Sequence, residues 1–215
     1  MCGIVGYIGH REASQFLIEG LRRLEYRGYD SSGVAAIDSS GNLAVTKTRG
    51  RIDNLVSRLA EDPIAGKIGV GHTRWATHGQ PSDENAHPHV GGPEGLAIVH
   101  NGVIENYQQI KERLASEGYV FHSATDSEII GHLISDTLKK NAESATNGAV
   151  QVGGPAGTYA PLVAAVQQAI AQLRGTYGIV ALFRDHPDVL ICARLGSPMV
   201  IGVGEGEHFI ASDAT

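Results

Sequence analysis

The chain opens Met1-Cys2-Gly3-Ile4-Val5-Gly6-Tyr7-Ile8-Gly9, a stretch that reads both as a strand and as a chemical site. Ile4, Val5, Tyr7 and Ile8 are strand formers, and Gly3 and Gly6 let other backbone approach the chain end closely. A small residue behind Met1 permits excision of the methionine, which leaves Cys2 with a thiol and a free α-amine on one residue. The ordinary values are about 8.5 for the thiol and about 7.7–8.0 for the amine, so a base near neutrality sits beside its nucleophile. The plainer alternative is a buried strand cysteine that falls early in the chain. Position alone leaves both readings open.

Outward from this strand, residues 11–25 predict an amphipathic helix with Phe16, Leu17, Leu21 and Leu24 on one stripe. Tyr26 to Gly33 is too rich in glycine and serine for a helix and leads into a strand over 34–37. A turn over 38–42 and a return strand over 43–48 complete a hairpin. Residues 53–61 predict a short helix capped by Asp53. A strand over 67–72 runs into a long irregular stretch, 73–94, of the kind that usually carries function. A strand over 96–100 ends in the turn dipeptide Asn101-Gly102. Helices are expected over 104–117, 127–140 and 161–173, with Asp126 or Ser127 capping the second and Glu128 in its first turn. Short strands follow over 178–183, 189–193, 199–204 and 208–211. Residues 141–158, small and polar, read as a flexible surface insertion. Helices clustered with antiparallel strands predict an α+β layered domain.

A net charge of −6, with the 17 Lys and Arg scattered, argues against a nucleic-acid or anionic-membrane surface. Only Cys2 and Cys192 occur, so there is no disulfide framework, and the cytoplasm is the expected compartment. No signal peptide and no apolar run of membrane-spanning length is evident.

The side chains suited to chemistry are dispersed. In His72-Thr73-Arg74-Trp75-Ala76-Thr77-His78-Gly79, Arg74 offers a planar fork for a carboxylate, with Thr77 and His78 as neutral donors beside it. Taken singly, Arg74 reads as half of a structural ion pair and Trp75 as a core residue. Asn101 and Gly102 could present a side-chain amide and a backbone N–H together, as an oxyanion hole requires, and Asp126 could be a helix cap or an ammonium receptor. Jointly, an Arg, an Asp, an oxyanion hole and a nucleophile fit an α-amino acid with a reactive side-chain amide, and glutamine is such a substrate.

Five segments carry a family resemblance: Cys2-Gly3-Ile4-Val5-Gly6, Arg27-Gly28-Tyr29-Asp30-Ser31-Ser32-Gly33, the stretch 72–79, His100-Asn101-Gly102 and Thr125-Asp126-Ser127-Glu128. Together they resemble the class II, N-terminal-nucleophile glutamine amidotransferases. With Ala193-Arg194-Leu195-Gly196-Ser197-Pro198 added, the chain is similar to the glutaminase domains of the glucosamine-6-phosphate synthase group. The resemblance implies a four-layer αββα sandwich of two antiparallel sheets. It implies that Cys2 attacks the glutamine amide with its own α-amine as base, and that Asn101 and Gly102 hold the oxyanion. Arg74, Thr77 and His78 would take the substrate carboxylate and Asp126 its ammonium, while Trp75 would gate ammonia and Gly28 would approach the chain end through its backbone. No cofactor or metal is implied. Fructose-6-phosphate would enter only through synthase domains, in an enzyme expected to be oligomeric at full length.

The resemblance also implies that the fold continues past Thr215, so the chain is expected to hydrolyse glutamine without making an amino sugar, and to leave some apolar surface uncovered. Three other readings stand beside this one. The first is an N-terminal-cysteine amidohydrolase for another amide, with no use for Arg74 and Asp126 as a clamp. The second is a metal-binding module built on His72, His78, His87, His89 and His100, of which only His87 and His89 are closely spaced. The third is a glutamine sensor without catalysis.

Overall fold

Alternation along the first strand, β1 (Gly3–Ile8), sends Ile4 and Ile8 to one face and Val5 and Tyr7 to the other, and both faces are covered. A strand packed on both sides belongs inside a layered sandwich, and the computed structural model, which describes residues 2–93, 95–146 and 157–214, has that form. After β1 come helix α1 (Ala13–Leu24), a 3₁₀ turn (Glu25–Arg27), β2 (Ser31–Ile37), β3 (Leu43–Arg49), α2 (Ile52–Glu61) and β4 (Ile68–Arg74). The chain continues through β5 (His89–Gly91), β6 (Leu96–Ile104), α3 (Tyr107–Ser116), α4 (Glu128–Thr146) and α5 (Ala160–Ile170). It ends with β7 (Gly175–Phe183), β8 (His186–Leu195), β9 (Val200–Gly204) and β10 (Glu207–Ala211).

The strands form a six-stranded sheet, β3-β2-β4-β1-β10-β9, and a four-stranded sheet, β5-β6-β7-β8. Neighbouring strands in both run antiparallel. Three apolar clusters correspond to the three interfaces of an αββα sandwich. Leu17 and Leu21 of α1 and Leu55 of α2 pack on Val5, Tyr7 and Val34. Ile4, Ile37 and Val70 of the larger sheet meet Val99, Val180 and Leu182 of the smaller one. Leu114, Leu133 and Val166 of α3, α4 and α5 cover Ile98, Ile179 and Phe183. The expected fold class holds. On the edge strand β9, Ile201 and Val203 remain exposed.

Several local expectations are corrected. The α2 helix begins after Arg51, and Asp53 forms no cap; it pairs instead with Arg22 at 2.8 Å. The Ile52 N–H is satisfied by the Glu25 carboxylate at 3.0 Å, supplied from 27 positions away. Asn101-Gly102 is not a turn. Both residues lie inside β6, opposite Gly178 and Tyr177 of β7. Gly102 reaches φ +139°, where a Cβ would stand 2.0 Å from the Thr176 carbonyl oxygen, so the dipeptide needs its glycine for this close approach rather than for reversal. Helix α4 runs on through 141–146, while residues 147–156 of the expected insertion lie outside the described residues. Asp126 and Ser127 turn toward β6, where the Asp126 carboxylate accepts the Ile104 N–H at 2.8 Å and the Ser127 hydroxyl meets His100 Nδ1 at 2.8 Å. The start of α4 is tied down by Glu128, which accepts the backbone N–H groups of His122 and Ser123. Among the described residues no helix is long and apolar enough to cross a membrane.

Candidate active site

Pairing with β4 places Gly3 opposite Thr73 and Ile4 opposite His72, so Cys2 emerges at the end of β1 beside Arg74 and Trp75. The strand end is held from the far end of the chain. Ser212 accepts the Ile4 N–H on its hydroxyl at 2.9 Å and donates its own N–H to the Ile4 carbonyl at 3.0 Å. Arg27 in turn donates to the Ser212 carbonyl and pairs with Asp213 at 2.9 Å.

The Trp75 N–H donates to Cys2 Sγ at 3.2 Å, and the sulfur lies 3.6 Å from the Trp75 carbonyl oxygen. That peptide is cradled by the segment 27–33. Gly28 packs so closely that a Cβ would stand 2.6 Å from the Arg74 carbonyl carbon and 2.7 Å from the Trp75 nitrogen. Gly28 thus approaches the peptide that holds the sulfur. Asp30 completes the cradle, donating its N–H to the Arg74 carbonyl at 3.0 Å and accepting the Ala76 N–H on its carboxylate at 2.8 Å. Burial pushes the Cys2 thiol above its ordinary range, with the Trp75 backbone contact acting in the opposite direction. The sulfur is therefore held mainly as a thiol at neutral pH and needs a base to react.

Asn101 joins the two sheets at this point. Its Nδ2 donates to the Cys2 carbonyl at 3.1 Å, its Oδ1 lies 3.0 Å from His72 Nε2, and its backbone carbonyl accepts the Ser197 hydroxyl at 3.1 Å. Gly102 beside it is exposed. An amide nitrogen carries two hydrogens, and Asn101 commits one of them to Cys2.

Arg74 is 4% exposed and makes no ion pair among the described residues. Its Nη2 donates to the His78 carbonyl and, at 3.2 Å, to that of Gly79, while its Nη1 is buried without a partner. Burial pushes the guanidinium down, and the fields of Cys2, Asp126 and Asp30 oppose the shift. A guanidinium stays charged at working pH, and Nη1 keeps N–H donors that no described residue accepts. His78 Nδ1 is likewise buried and unpartnered, and its ring stands edge-on to Tyr107 at 5.9 Å. Thr77 is exposed on the same loop. Asp126 is buried, with one carboxylate oxygen on Ile104 N–H and the other 3.4 Å from the Ser127 hydroxyl. Trp75 is not a core residue. It is 45% exposed and meets the exposed Tyr29 edge-on at 5.7 Å, at the rim of the Cys2 site.

The buried histidines stack and hydrogen-bond rather than converge. His72 lies flat on His87 at 4.1 Å, His87 meets His89 at 4.5 Å, and His89 Nε2 lies 3.1 Å from the Thr125 hydroxyl. Desolvation pushes all three down, His72 to about 3, which keeps them uncharged. Among the described residues no group of three or more His, Cys, Asp or Glu side chains is arranged to hold a metal.

The sequence reading missed four residues that build this site. Asp30 and Ser197 sit inside motifs that it had quoted, so a signal was present without a role. His72 opened another such motif but was weighed only as a metal ligand. Ser212, which pins β1 across 208 positions, had no local signal.

A model of the glutamine amidotransferase domain matches residues 72–214. Over 213 residues, 99% of this chain, the sequence is 49% identical to glutamine–fructose-6-phosphate aminotransferase (isomerizing) of Escherichia coli (strain K12). It is 47% identical over 215 residues to the protein of the same name from Bacteroides thetaiotaomicron. The chain spans 32% of the length of each of these relatives. Among solved structures, it superposes with a TM-score of 0.74 and 27% identity on the glutamine phosphoribosylpyrophosphate amidotransferase from B. subtilis, covering 98% of this chain and 42% of that one. An allosteric regulatory enzyme of purine biosynthesis matches with a TM-score of 0.76 and 28% identity, at the same coverage.

Proposed function

This chain belongs to the glutamine amidotransferase domain family, and we propose that Cys2 is the nucleophile with which it opens the side-chain amide of glutamine. The observation that carries this reading is the convergence on Cys2, with the Trp75 N–H on its sulfur and the Asn101 amide on its carbonyl. Removal of Met1 frees the α-amine, which takes the thiol proton, and the sulfur attacks the amide carbon. The oxyanion is held by the second Asn101 Nδ2 hydrogen and the Gly102 N–H. The carbon–nitrogen bond then breaks, the proton passes from the amine to the departing ammonia, and a glutamyl thioester remains. Water attacks the thioester, releasing glutamate and restoring the thiol.

In this reading Arg74 Nη1, with His78 and Thr77, receives the substrate carboxylate, Asp126 receives its ammonium, and Trp75 gates the ammonia. By analogy with the relatives' name, the acceptor of that ammonia is fructose-6-phosphate, bound by a part of the enzyme that this chain does not contain. We place the full-length enzyme in the cytoplasm, as an oligomer, where Cys2 stays reduced.

The clamp distinguishes glutamine from other amides. The des-amino analogue of glutamine keeps the carboxylate and the amide but loses the ammonium partner of Asp126. Its kcat/KM is expected to be lower by about 10²-fold, the scale of one charged hydrogen bond. Equal turnover of the two compounds in a glutamate dehydrogenase-independent ammonia assay would assign the site to a simpler amide.

The base gives a second test. A form that still carries Met1, separated and identified by intact mass, has a peptide nitrogen at Cys2 and no α-amine there. It is expected to hydrolyse glutamine at no more than about 1% of the processed rate, because general-base catalysis contributes about 10²–10⁴-fold. Equal specific activity of the two forms would remove the α-amine from the mechanism.

A further inference from the structure

His72 has no part in the chemistry described so far, yet it is fully buried between the sheets with two oxygen atoms on one ring nitrogen. Its Nε2 lies 3.0 Å from Asn101 Oδ1 and 3.1 Å from the His100 carbonyl oxygen. A carbonyl oxygen can only accept, so Nε2 carries the hydrogen and shares it between the two oxygens. Nδ1 is then bare, and it has no partner. The ring is braced by His87, stacked on it with 16° between the planes.

This arrangement fixes one orientation of the Asn101 amide. If the amide flipped, Nδ2 would face the His72 N–H, donor against donor, and Oδ1 would face the Cys2 carbonyl, acceptor against acceptor. Two hydrogen bonds would be replaced by two repulsions in a buried site, where an unmet polar group is costly. We propose that His72, through its Nε2–H, is a positioning residue that locks the Asn101 amide with its NH₂ group toward Cys2. Burial holds the ring's pKa down to about 3, so the ring stays neutral throughout the range in which an N-terminal amine can serve as base, and the two oxygens on Nε2 fix its tautomer. The contact spans 29 positions and ties β4 of one sheet to β6 of the other. It therefore has a structural use as well, and the test must separate the two roles.

The proposal rests on Asn101 acting as the oxyanion donor, and a double-mutant cycle tests both claims at once. Asn101→Ala is expected to lower kcat for glutamine by about 10²–10³-fold. His72→Ala is expected to lower kcat by about 10–10²-fold with KM within about threefold, because a misplaced donor weakens only the transition state. His72→Gln, which retains an amide N–H donor, is expected to recover part of that loss. Added to Asn101→Ala, His72→Ala is expected to cost nothing further in kcat. If Asn101→Ala keeps wild-type kcat, the oxyanion reading fails and the positioning role falls with it. If Asn101→Ala is impaired but the two losses multiply, only the role of His72 is overturned.

Nitrogen NMR of the unaltered chain gives a readout that needs no variant. A His72 ring protonated on Nε2 alone is expected, and a proton on Nδ1 instead would overturn the proposal even if the His72 variants do not fold.

Discussion

Replacing Cys2 by serine is expected to reduce glutamine hydrolysis by at least about 10³-fold while leaving the fold intact. An alcohol is far less acidic than a thiol and a weaker nucleophile, so the same α-amine activates it less well in a site built around sulfur. The contacts of the sulfur are the Trp75 N–H and, more weakly, the Trp75 carbonyl, and a hydroxyl can make both. The melting temperature is therefore expected to stay within about 2 °C, since a partly exposed substitution that keeps its hydrogen bonds lies within about 0.5 kcal/mol. Glutamate release and thermal unfolding measured on the same preparation separate the two effects. A serine variant within tenfold of the parent would place the nucleophile elsewhere.

The second large effect is acid unfolding, and it follows from the histidines. Burial pushes His72 to about 3, and it pushes His87, His89 and His100 down as well. A histidine whose folded pKa lies below its unfolded value of about 6.5 is more easily protonated in the unfolded chain. Its contribution is therefore complete above pH 6.5 and is lost as pH falls toward the folded value. For His72 alone the loss approaches about 5 kcal/mol by pH 3, at 1.36 kcal/mol per unit. The other three act in the same direction, their contributions being lost as pH falls below 6.5.

Glu128 adds to the loss at lower pH. Burial pushes its carboxyl up, but His132 Nε2 at 3.7 Å and hydrogen bonds from the His122 and Ser123 N–H groups and the Ser123 hydroxyl outweigh this and hold it at about 2. Its contribution is present above pH 4.5 and is lost as pH falls from there toward 2. Against a total stability of roughly 5–15 kcal/mol for a native domain, the midpoint of acid unfolding is expected between pH 6.5 and 3. Urea unfolding at a series of pH values reads this directly. A midpoint concentration that does not change between pH 7 and pH 4 would mean that the buried rings are hydrated or already charged in the folded state.

The sequence exposed what is local and hid what is long-range. β1 was legible because Ile4, Val5, Tyr7 and Ile8 alternate between two buried faces, and α1 because Leu17, Leu21 and Leu24 repeat at helical spacing. The Asp53 cap was misread because the carboxylate that meets the start of α2 comes from Glu25, which no local pattern marks. Asn101-Gly102 was misread as a turn because that dipeptide favours reversal in isolation. Here β7 pairs alongside it, and the positive φ of Gly102 serves a close approach to Thr176. Of the site, the residues that act through their own side chains stood inside recognisable motifs. Of those that act through a neighbour, Gly28 was expected from the resemblance, Asp30 stood in a motif without a role, and Ser212 had no local signal. Asp30 and Gly28 matter through the Arg74–Trp75 backbone, and Ser212 through the Ile4 backbone. A linear reading sees residue types, whereas these contacts exist only once the sandwich has closed.

The central claim is that a processed N-terminal thiol stands in a pocket shaped for glutamine. Intact mass before and after exposure to a glutamine-like diazoketone tests it most directly, with Cys2→Ser as control and free glutamine as competitor. The expected result is loss of Met1 and a single adduct that requires Cys2 and is suppressed by glutamine. A processed, folded chain that stays unlabelled, or one labelled equally in the serine variant, would contradict the account.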